Sequence, residues 1–234
     1  MKYLGVLLNL LFPSKCPVCG NKSNSTLYNP ICTGCWKTIE RYTGPACSIC
    51  GLPTVSDYTL SCEQCIKDKP HFSGVLYYSI YNSAIREAVH LLKFNGIKRL
   101  SKPLSDLLSE LTIPKADGIV PVPLHKNSLL KREFNQTALI GYYLSKTLKI
   151  PLMTGMLKKI KETPMQTDLR GFDRLKNVKN AYAASECANE KRLLLIDDVI
   201  TTGATVRECA RTLIKAGAEK VTVIALARSA PSIE

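Results

Sequence analysis

The chain has 234 residues, of which 45% are hydrophobic and 22% are charged. This composition excludes a disordered chain and is enough for one sizeable core, or for one domain with a small appendage. Lys and Arg number 32 against 19 Asp and Glu, a formal net charge of +13. The excess predicts an anionic partner such as phosphate or nucleic acid, although it does not indicate a fold.

The apolar opening segment, residues 1–12, is the candidate for membrane insertion or secretion. It is shorter than the roughly 20 apolar residues that cross a bilayer, and it has no small-residue cleavage site. We therefore predict a cytoplasmic protein without integral membrane association. A peripheral position at the inner face of the membrane stays open.

Eight of the ten cysteines lie before residue 66, in four Cys-x-x-Cys pairs. The two sulfurs of such a pair can face one metal ion at about 2.3 Å, and two pairs complete a tetrahedron, which leaves no open position for water. Disulfides are disfavoured without a secretion signal, and a redox role needs one pair on an α/β scaffold. Two structural zinc sites are the prediction, with sequential pairing favoured over interleaved pairing because it closes shorter loops. The ligands would be Cys16, Cys19, Cys32, Cys35, Cys47, Cys50, Cys62 and Cys65.

The composition changes near residue 70, so we predict a zinc-ribbon head with a short N-terminal apolar helix over 1–70 and a second domain over 71–234. Strands and helices alternate in this second part, and its strands are apolar on both faces, which predicts a parallel sheet covered by helices on two sides. The fold class is therefore α/β. The predicted elements are strand 75–81, helix 83–94, strand 118–124, helix 136–148, strand 193–196, helix 206–215 capped by Gly217, and strand 221–227.

Charge is concentrated in the middle of the chain, where residues 86–179 hold 18 basic and 8 acidic residues. This segment is the candidate for contact with an anionic polymer. A solvated basic surface that serves solubility explains the same composition.

The segment 193–205 carries the strongest indication of a ligand site. An apolar strand is followed by two carboxylates and then by a small-residue loop that leads into a helix, whose N-terminal N–H groups can bind a phosphate. The carboxylates suit vicinal hydroxyls or hydrated Mg²⁺, so the segment predicts a seat for ribose 5-phosphate. The alternative is that Asp197 only caps a turn and the threonines only cap the helix. The candidate residues are Asp197, Asp198, Val199, Thr201, Thr202, Gly203, Ala204 and Thr205.

These thirteen positions resemble the phosphoribosyl pyrophosphate (PRPP) signature of type I phosphoribosyltransferases. Together with the cysteine head, the chain is similar to the ComF family (competence protein F) almost from end to end. The resemblance implies a type I phosphoribosyltransferase-like domain in which the two aspartates hold the ribose hydroxyls, with magnesium, and residues 201–205 hold the 5-phosphate. Further motifs that carry it are Leu10-Leu11-Phe12-Pro13, Leu92-Lys93-Phe94-x-Gly96, Val120-Pro121-Val122-Pro123-Leu124-His125, Arg132-x-Phe134-Asn135-Gln136 and Thr163-x-x-Gln166 with Arg174-x-x-Asn177-Val178.

The loop after the second strand is the candidate pyrophosphate site, because in related transferases this loop lies beside the pyrophosphate. The candidates are Pro123, His125, Lys126 and Arg132, although His125 is also explained as an ordinary loop histidine. Residues 158–179 fit either a mobile lid or a solvated connection. The chain departs from the family pattern at Lys159 and Lys161 in place of Arg, Glu133 in place of Gly and Tyr182 in place of Phe.

The resemblance implies a role in natural transformation, in which a PRPP-binding protein assists the uptake of single-stranded DNA beside a helicase-like ATPase. Phe94, Tyr142 and Tyr143 are the candidates for stacking on bases. Two alternatives stay open, namely a phosphoribosyltransferase acting on a base or amine, and a PRPP-responsive regulator. No acceptor pocket can be identified from the sequence, and no cysteine lies at the N-terminus for a glutaminase half, so whether the chain is an enzyme is left open.

Overall fold

The computed structural model describes residues 14–56, 60–162 and 178–230, apart from the side chain of Cys187. Three predicted features lie wholly or partly outside this part of the chain. They are the N-terminal helix, the motif at 10–13, and residues 163–177, which belong to the lid candidate and to the motif from Thr163 to Val178. The described elements are, in chain order, α1 (Thr33–Lys37), α2 (Glu63–Lys67), β1 (Gly74–Ile80), α3 (Ser83–Phe94), a 3-10 turn (Lys98–Leu100), α4 (Ser101–Ser109), β2 (Gly118–Pro121), α5 (Lys126–Arg132), α6 (Gln136–Leu148), β3 (Leu157–Lys159), β4 (Tyr182–Ala184), a 3-10 turn (Glu186–Ala188), β5 (Arg192–Ile200), α7 (Ala204–Lys215) and β6 (Lys220–Arg228).

A four-stranded parallel sheet in the order β1–β6–β5–β2 lies at the centre, which confirms the predicted fold class. The inner strands β5 and β6 are almost wholly buried, because side chains on both of their faces pack against other elements. β3 and β4 form a separate antiparallel pair. All carboxyl ends of the parallel strands meet at one edge of the sheet, and this edge carries the candidate site.

Two hydrophobic cores lie on the two faces of this sheet, and each includes part of the cysteine-bearing head. One core contains the buried side chains of α3, α4 and α6 together with Ile31 and Trp36 of the head. The other contains the buried side chains of α7 and of the β3–β4 pair together with Cys47, Cys50 and Cys65. The head is therefore anchored to both faces of the α/β unit.

Three predicted elements differ from the structure by two residues or more at one end. β5 continues to Ile200, so Asp197 and Asp198 lie inside the strand and not after it, and Asp197 still pairs with Ala225 of β6. β2 ends at Pro121, three residues before the predicted end, since a proline has no N–H to continue a ladder. α7 begins at Ala204, two residues earlier than predicted.

The predicted glycine cap is confirmed at the end of α7. Gly217 has φ of +92°, and its N–H donates to the carbonyl of Ile214 at 3.0 Å. The N–H of Ala218 donates to the carbonyl of Leu213 at 3.1 Å, the pairing of a helix that ends at a left-handed residue. Among the described residues, no helix is both long and apolar enough to cross a membrane.

Candidate functional site

The eight paired cysteines gather into two clusters that follow the chain order. The first cluster is Cys16, Cys19, Cys32 and Cys35, and the second cluster is Cys47, Cys50, Cys62 and Cys65; within each, all four sulfurs lie within 4.8 Å of one another. Sequential pairing, the favoured of the two arrangements, is therefore the one in the structure.

Both clusters fit a zinc ion. A tetrahedron with bonds of about 2.3 Å places its sulfurs about 3.8 Å apart. The Sγ atoms of Cys19 and Cys32 are 3.8 Å apart, and those of Cys50 and Cys62 are 3.6 Å apart. Backbone N–H groups also point at the sulfurs, as an array of thiolates requires: that of Cys32 donates to Cys16 at 3.4 Å. With four thiolates each, these are structural sites in which the metal stabilises a head that has little secondary structure of its own.

The two aspartates lie at the carboxyl end of β5 and differ sharply in their surroundings. Asp198 is buried, and its two oxygens are held separately. The Nζ of Lys93 in α3 lies 2.8 Å from Oδ1, and the Nε2 of Gln136 in α6 donates to Oδ2 at 2.8 Å. Asp197 is only partly buried, and its Oδ1 accepts from the backbone N–H of Asp198 at 2.9 Å.

This arrangement separates the protonation behaviour of the neighbouring groups. Desolvation and then the negative charge of Asp198 raise the pKa of Asp197 to about 7, against the opposing effect of Lys93. Burial acts to lower the pKa of Lys93, but the carboxylate of Asp198 outweighs it, so the pKa of Lys93 is raised. One carboxylate is thus fixed in an ion pair, and the other is poised to lose its proton near neutral pH.

The loop after β5 has the geometry of an anion cradle. Gly203, the N-cap of α7, has φ of +81° and carries no side chain that could occupy the first turn. The N–H of Ala204 donates to the Oγ1 of Thr202 at 3.4 Å. This is the helix cap that the alternative interpretation of the threonines predicts, but the hydrogen bond is long. On the far side of the loop, the guanidinium of Arg228 donates to the carbonyls of Ile200, at 3.1 Å, and Thr201. The N-terminus of α7 thus lies at the end of this loop, where a phosphate would meet the positive end of the helix dipole.

The candidate pyrophosphate residues lie on or just before the short helix α5, which was not predicted from the sequence. His125 is the N-cap of α5, and its Nδ1 accepts from the N–H of Asn127 at 3.4 Å, which supports its interpretation as a structural loop histidine. Lys126 is exposed at the first position of the helix, and Pro123 is half-buried just before it. Arg132 is connected to the aspartates through one side chain: its Nη1 donates to Oε1 of Gln136 at 3.3 Å, and the Nε2 of Gln136 donates to Asp198.

Four residues around the site were missed as functional candidates. Lys93 and Gln136 fell within family motifs but received no role, and they are the partners of Asp198. Arg207 and Arg228 lie beneath the loop, 8% and 2% exposed. Arg228 could have been noticed as the one charged residue in the apolar run 221–228. Arg207 carried no such signal, since an arginine in a helix is ordinarily exposed.

A cavity of about 700 Å³ lies between the second cluster and the loop. Its walls include Leu52 and Phe72 on the apolar side, and Cys50, Thr201, Thr202 and Arg228 on the polar side. The head and the α/β unit thus enclose a space next to the predicted phosphate seat, where the sequence alone showed no pocket.

Two parts define the class of protein. A double zinc ribbon is joined to a parallel α/β unit, and a carboxylate pair lies at the edge of the sheet where the strands have their carboxyl ends. The sequence model of the double zinc ribbon domain matches residues 7–66. Competence protein F of Haemophilus influenzae is 33% identical over 214 residues, which are 86% of this chain and 91% of that protein. The chain belongs to the competence protein F family.

Further similarities extend to other named proteins. DNA utilization protein YhgH of Escherichia coli K12 is 30% identical over 209 residues, which are 85% of this chain and 90% of that protein. Among solved structures, glutamine PRPP amidotransferase of B. subtilis covers 53% of this chain and 25% of its own, with 22% identity and a TM-score of 0.38.

Proposed function

We propose that this chain binds PRPP with Mg²⁺ at the carboxyl end of β5 and takes part in the uptake of single-stranded DNA. The carrying observation is the continuous arrangement of Asp197, Asp198 and the loop 201–203 at the start of α7. Carboxylates for vicinal hydroxyls, followed by a loop that leads into a helix N-terminus, are what a ribose 5-phosphate requires.

The roles of the individual residues follow from their surroundings. Among the described residues, a hydrogen-bond donor contacts only one oxygen of Asp197, so it is the carboxylate for the ribose hydroxyls or for hydrated Mg²⁺. Asp198 keeps accepting capacity beyond Lys93 and Gln136, because a carboxylate has about four lone-pair sites. The hydroxyls of Thr201, Thr202 and Thr205 join the first-turn N–H groups around the 5-phosphate, and Arg132, with Lys126, supplies positive charge for the pyrophosphate.

The DNA role is supported by the relatives, which are named for competence and for DNA utilization. It is also supported by a surface on which basic and aromatic side chains alternate. Phe94 is 59% exposed, with the guanidinium of Arg132 5.0 Å from the centroid of its ring, and Tyr142 is 47% exposed, with Lys146 at 5.5 Å. Such pairs can stack on bases and neutralise phosphates. A helicase-like ATPase is the partner that this role implies.

Calorimetric titration of PRPP and Mg²⁺ into the zinc-loaded protein tests the PRPP site. Asp197→Asn is the sharper variant, because Asp198→Asn would also remove the partner of Lys93 and disturb the fold. We expect Asp197→Asn to weaken binding by about tenfold or more, since a charge-assisted hydrogen bond is lost. Asp106→Asn, which removes an equal charge from the exposed face of α4, should leave the affinity unchanged. Equal affinities in all three proteins would reject this seat.

The cavity beside the loop favours one second candidate function, transfer of ribose 5-phosphate from PRPP to a base or amine. Displacement of pyrophosphate needs an acceptor held near the ribose, and the cavity, lined by Thr201, Thr202 and Gly203, offers a partly apolar space beside the loop after β5. Incubation of PRPP with a panel of bases and amines should then release pyrophosphate faster than PRPP alone does. An unchanged rate across the panel, in a protein that binds PRPP, would instead support a binding protein that responds to PRPP.

A further inference from the structure

Two buried arginines lie between the second cluster and the loop after β5, residues 201–203, which we call the phosphate loop. Arg228 is the last residue of β6, and Arg207 lies in the first turn of α7. They are 2% and 8% exposed, a depth at which a guanidinium needs opposite charge or several acceptors nearby.

Arg228 holds the loop from below. Its Nη1 donates to the carbonyls of Ile200 and Thr201, which are the last strand residue and the first loop residue. Its Nη2 lies 4.0 Å from the Sγ of Cys50, a ligand of the second cluster, and its Nε has no hydrogen-bond acceptor within the described part of the chain. One side chain therefore contacts both the loop backbone and the metal ligands.

Arg207 makes the matching connection on the helix. Its Nη2 donates to the Sγ of Cys65 at 3.0 Å, and its Nη1 donates to the carbonyl of Asp68 at 2.7 Å. Its own backbone N–H donates to the carbonyl of Gly203 at 3.0 Å, so the arginine belongs to the turn that would receive the phosphate. The first turn of α7 is thus joined directly to the second cluster.

The charges of this arrangement are complementary, and the exposed carboxylate of Asp68, 3.6 Å from the Nη1 of Arg207, adds a further negative charge at its edge. Four thiolates around one Zn²⁺ carry a net charge of −2, and the two guanidinium groups carry +2. In the first cluster, by contrast, the hydrogen bonds to sulfur come from the backbone of the ribbon itself, from Cys32 and Cys35. The second cluster is therefore the counter-ion of the two arginines that support the loop. Among the described residues, no arginine donates to a sulfur of the first cluster.

We propose that Arg207 and Arg228 are positioning residues that couple the zinc-loaded second cluster to the conformation of the phosphate loop. Without the metal, the four sulfurs would take up protons and become neutral thiols, so the two guanidinium groups would lose most of their buried counter-charge, and the carbonyls of Ile200 and Thr201 would lose a fixed donor. The loop would then fluctuate, and its affinity for a phosphate would fall. The effect on ligand affinity rests on the proposed PRPP function, whereas the effect on the loop does not.

Matched variants of the full chain separate the two clusters. Cys62→Ser removes a ligand of the second cluster, and Cys19→Ser removes one of the first, with zinc content measured in each. We expect hydrogen–deuterium exchange of peptides covering 199–207 to accelerate about tenfold or more in Cys62→Ser and in Arg228→Gln, and to stay at the wild-type rate in Cys19→Ser. PRPP affinity should follow the same order.

A double variant tests the coupling itself. If Arg228 acts through the cluster, Cys62→Ser combined with Arg228→Gln should accelerate loop exchange little more than either change alone. Additive effects would overturn the proposal, as would loop exchange that is equal in Cys19→Ser and Cys62→Ser. Should Cys62→Ser unfold the head, stepwise zinc removal by a chelator from Cys19→Ser and from wild type gives the same comparison. Failure of PRPP to bind the wild type would reject the proposed function but would leave the exchange result valid.

Discussion

The Nζ of Lys93 lies 2.8 Å from Oδ1 of Asp198, and this pair joins the helix α3 to the carboxyl end of β5. The side chain of Asp198 is 4% exposed and that of Lys93 is 20% exposed, so water screens the pair little. The neighbouring residue, Phe94, turns outward to solvent. Two consecutive residues of α3 thus serve the two halves of the proposed function, one at the carboxylates and one on the aromatic surface.

Removal of the Lys93 side chain should destabilise the fold more than removal of an exposed lysine does. We expect Lys93→Met to lower the free energy of unfolding by about 3 kcal/mol, because the carboxylate of Asp198 would stay buried without a counter-charge. Lys93→Met combined with Asp198→Asn should restore part of the loss. Denaturant unfolding of the single and double variants measures both effects.

The chain offers a control pair at nearly the same distance. Lys102 and Asp106 in α4 are 2.9 Å apart, but their side chains are 56% and 46% exposed. Lys102→Met should therefore cost less than about 1 kcal/mol. An equal loss in Lys93→Met and Lys102→Met would show that the burial of Asp198 has no energetic consequence.

The affinity for PRPP should depend on pH through Asp197. Its pKa of about 7 means that the group must lose a proton before it can accept hydrogen bonds from the ribose or bind magnesium. We expect the affinity of the wild type to rise between pH 6 and pH 8 by more than that of Asp197→Asn. The variant is the control for titration of the ligand's own phosphates. Parallel profiles would show that Asp197 does not carry the pH dependence.

The stability of the free protein should change with pH in the opposite direction. The pKa of Asp197 is higher in the folded chain than its ordinary value of 3.8, so the folded state binds the extra proton. The contribution is fully present below about pH 4 and is lost as the pH rises through about 7. Asp197→Asn should therefore match the wild type near pH 4 and exceed it increasingly up to pH 8, as denaturant unfolding at the two pH values would measure. The same variant would then be more stable and bind PRPP less tightly.

Strong periodicity and spacing made much of the fold predictable. The helices 83–94 and 136–148 have the predicted bounds, and the Cys-x-x-Cys spacing indicated both clusters, because each metal site is built from local turns. The predicted strand 193–196 stops before the two aspartates, because adjacent aspartates are rare within a strand. Only tertiary contacts with β6, Lys93 and Gln136 keep those residues in the sheet.

The supports of the site were beyond local sequence patterns. Arg228 and Cys50 are 178 positions apart and Arg207 and Cys65 are 142 apart, so no local pattern relates them. Residues 1–70 and 71–234, predicted as a zinc-ribbon head and a second domain, contribute to the same two cores and to a cavity between the ribbon and the loop. A spacing rule describes a ligand set, whereas the position of the ribbon relative to the loop depends on long-range packing.

Replacement of Glu133 by glycine should stabilise the protein. Glu133 ends α5 with φ of +62°, a left-handed conformation that costs a residue with a Cβ about 1 kcal/mol. This explains why glycine is usual at this position in the resembled pattern. We expect Glu133→Gly to raise the free energy of unfolding by about 0.5 kcal/mol, after the greater freedom of glycine in the unfolded chain is deducted. Glu110→Gly, at a helix end with φ of −77°, should destabilise instead.

The exposed aromatic rings should contribute to DNA binding by stacking. We expect Phe94→Ala and Tyr142→Ala each to weaken the binding of a single-stranded oligonucleotide by about tenfold, since base stacking is worth about 1–3 kcal/mol per ring. Fluorescence anisotropy at two salt concentrations measures this, and Arg132→Gln should reduce the steepness of the salt dependence. Leu130→Ala is the control, because Leu130 is 69% exposed but has no ring. If Leu130→Ala loses as much affinity as Phe94→Ala, general apolar contact explains the binding; if no variant changes it, the DNA binds elsewhere.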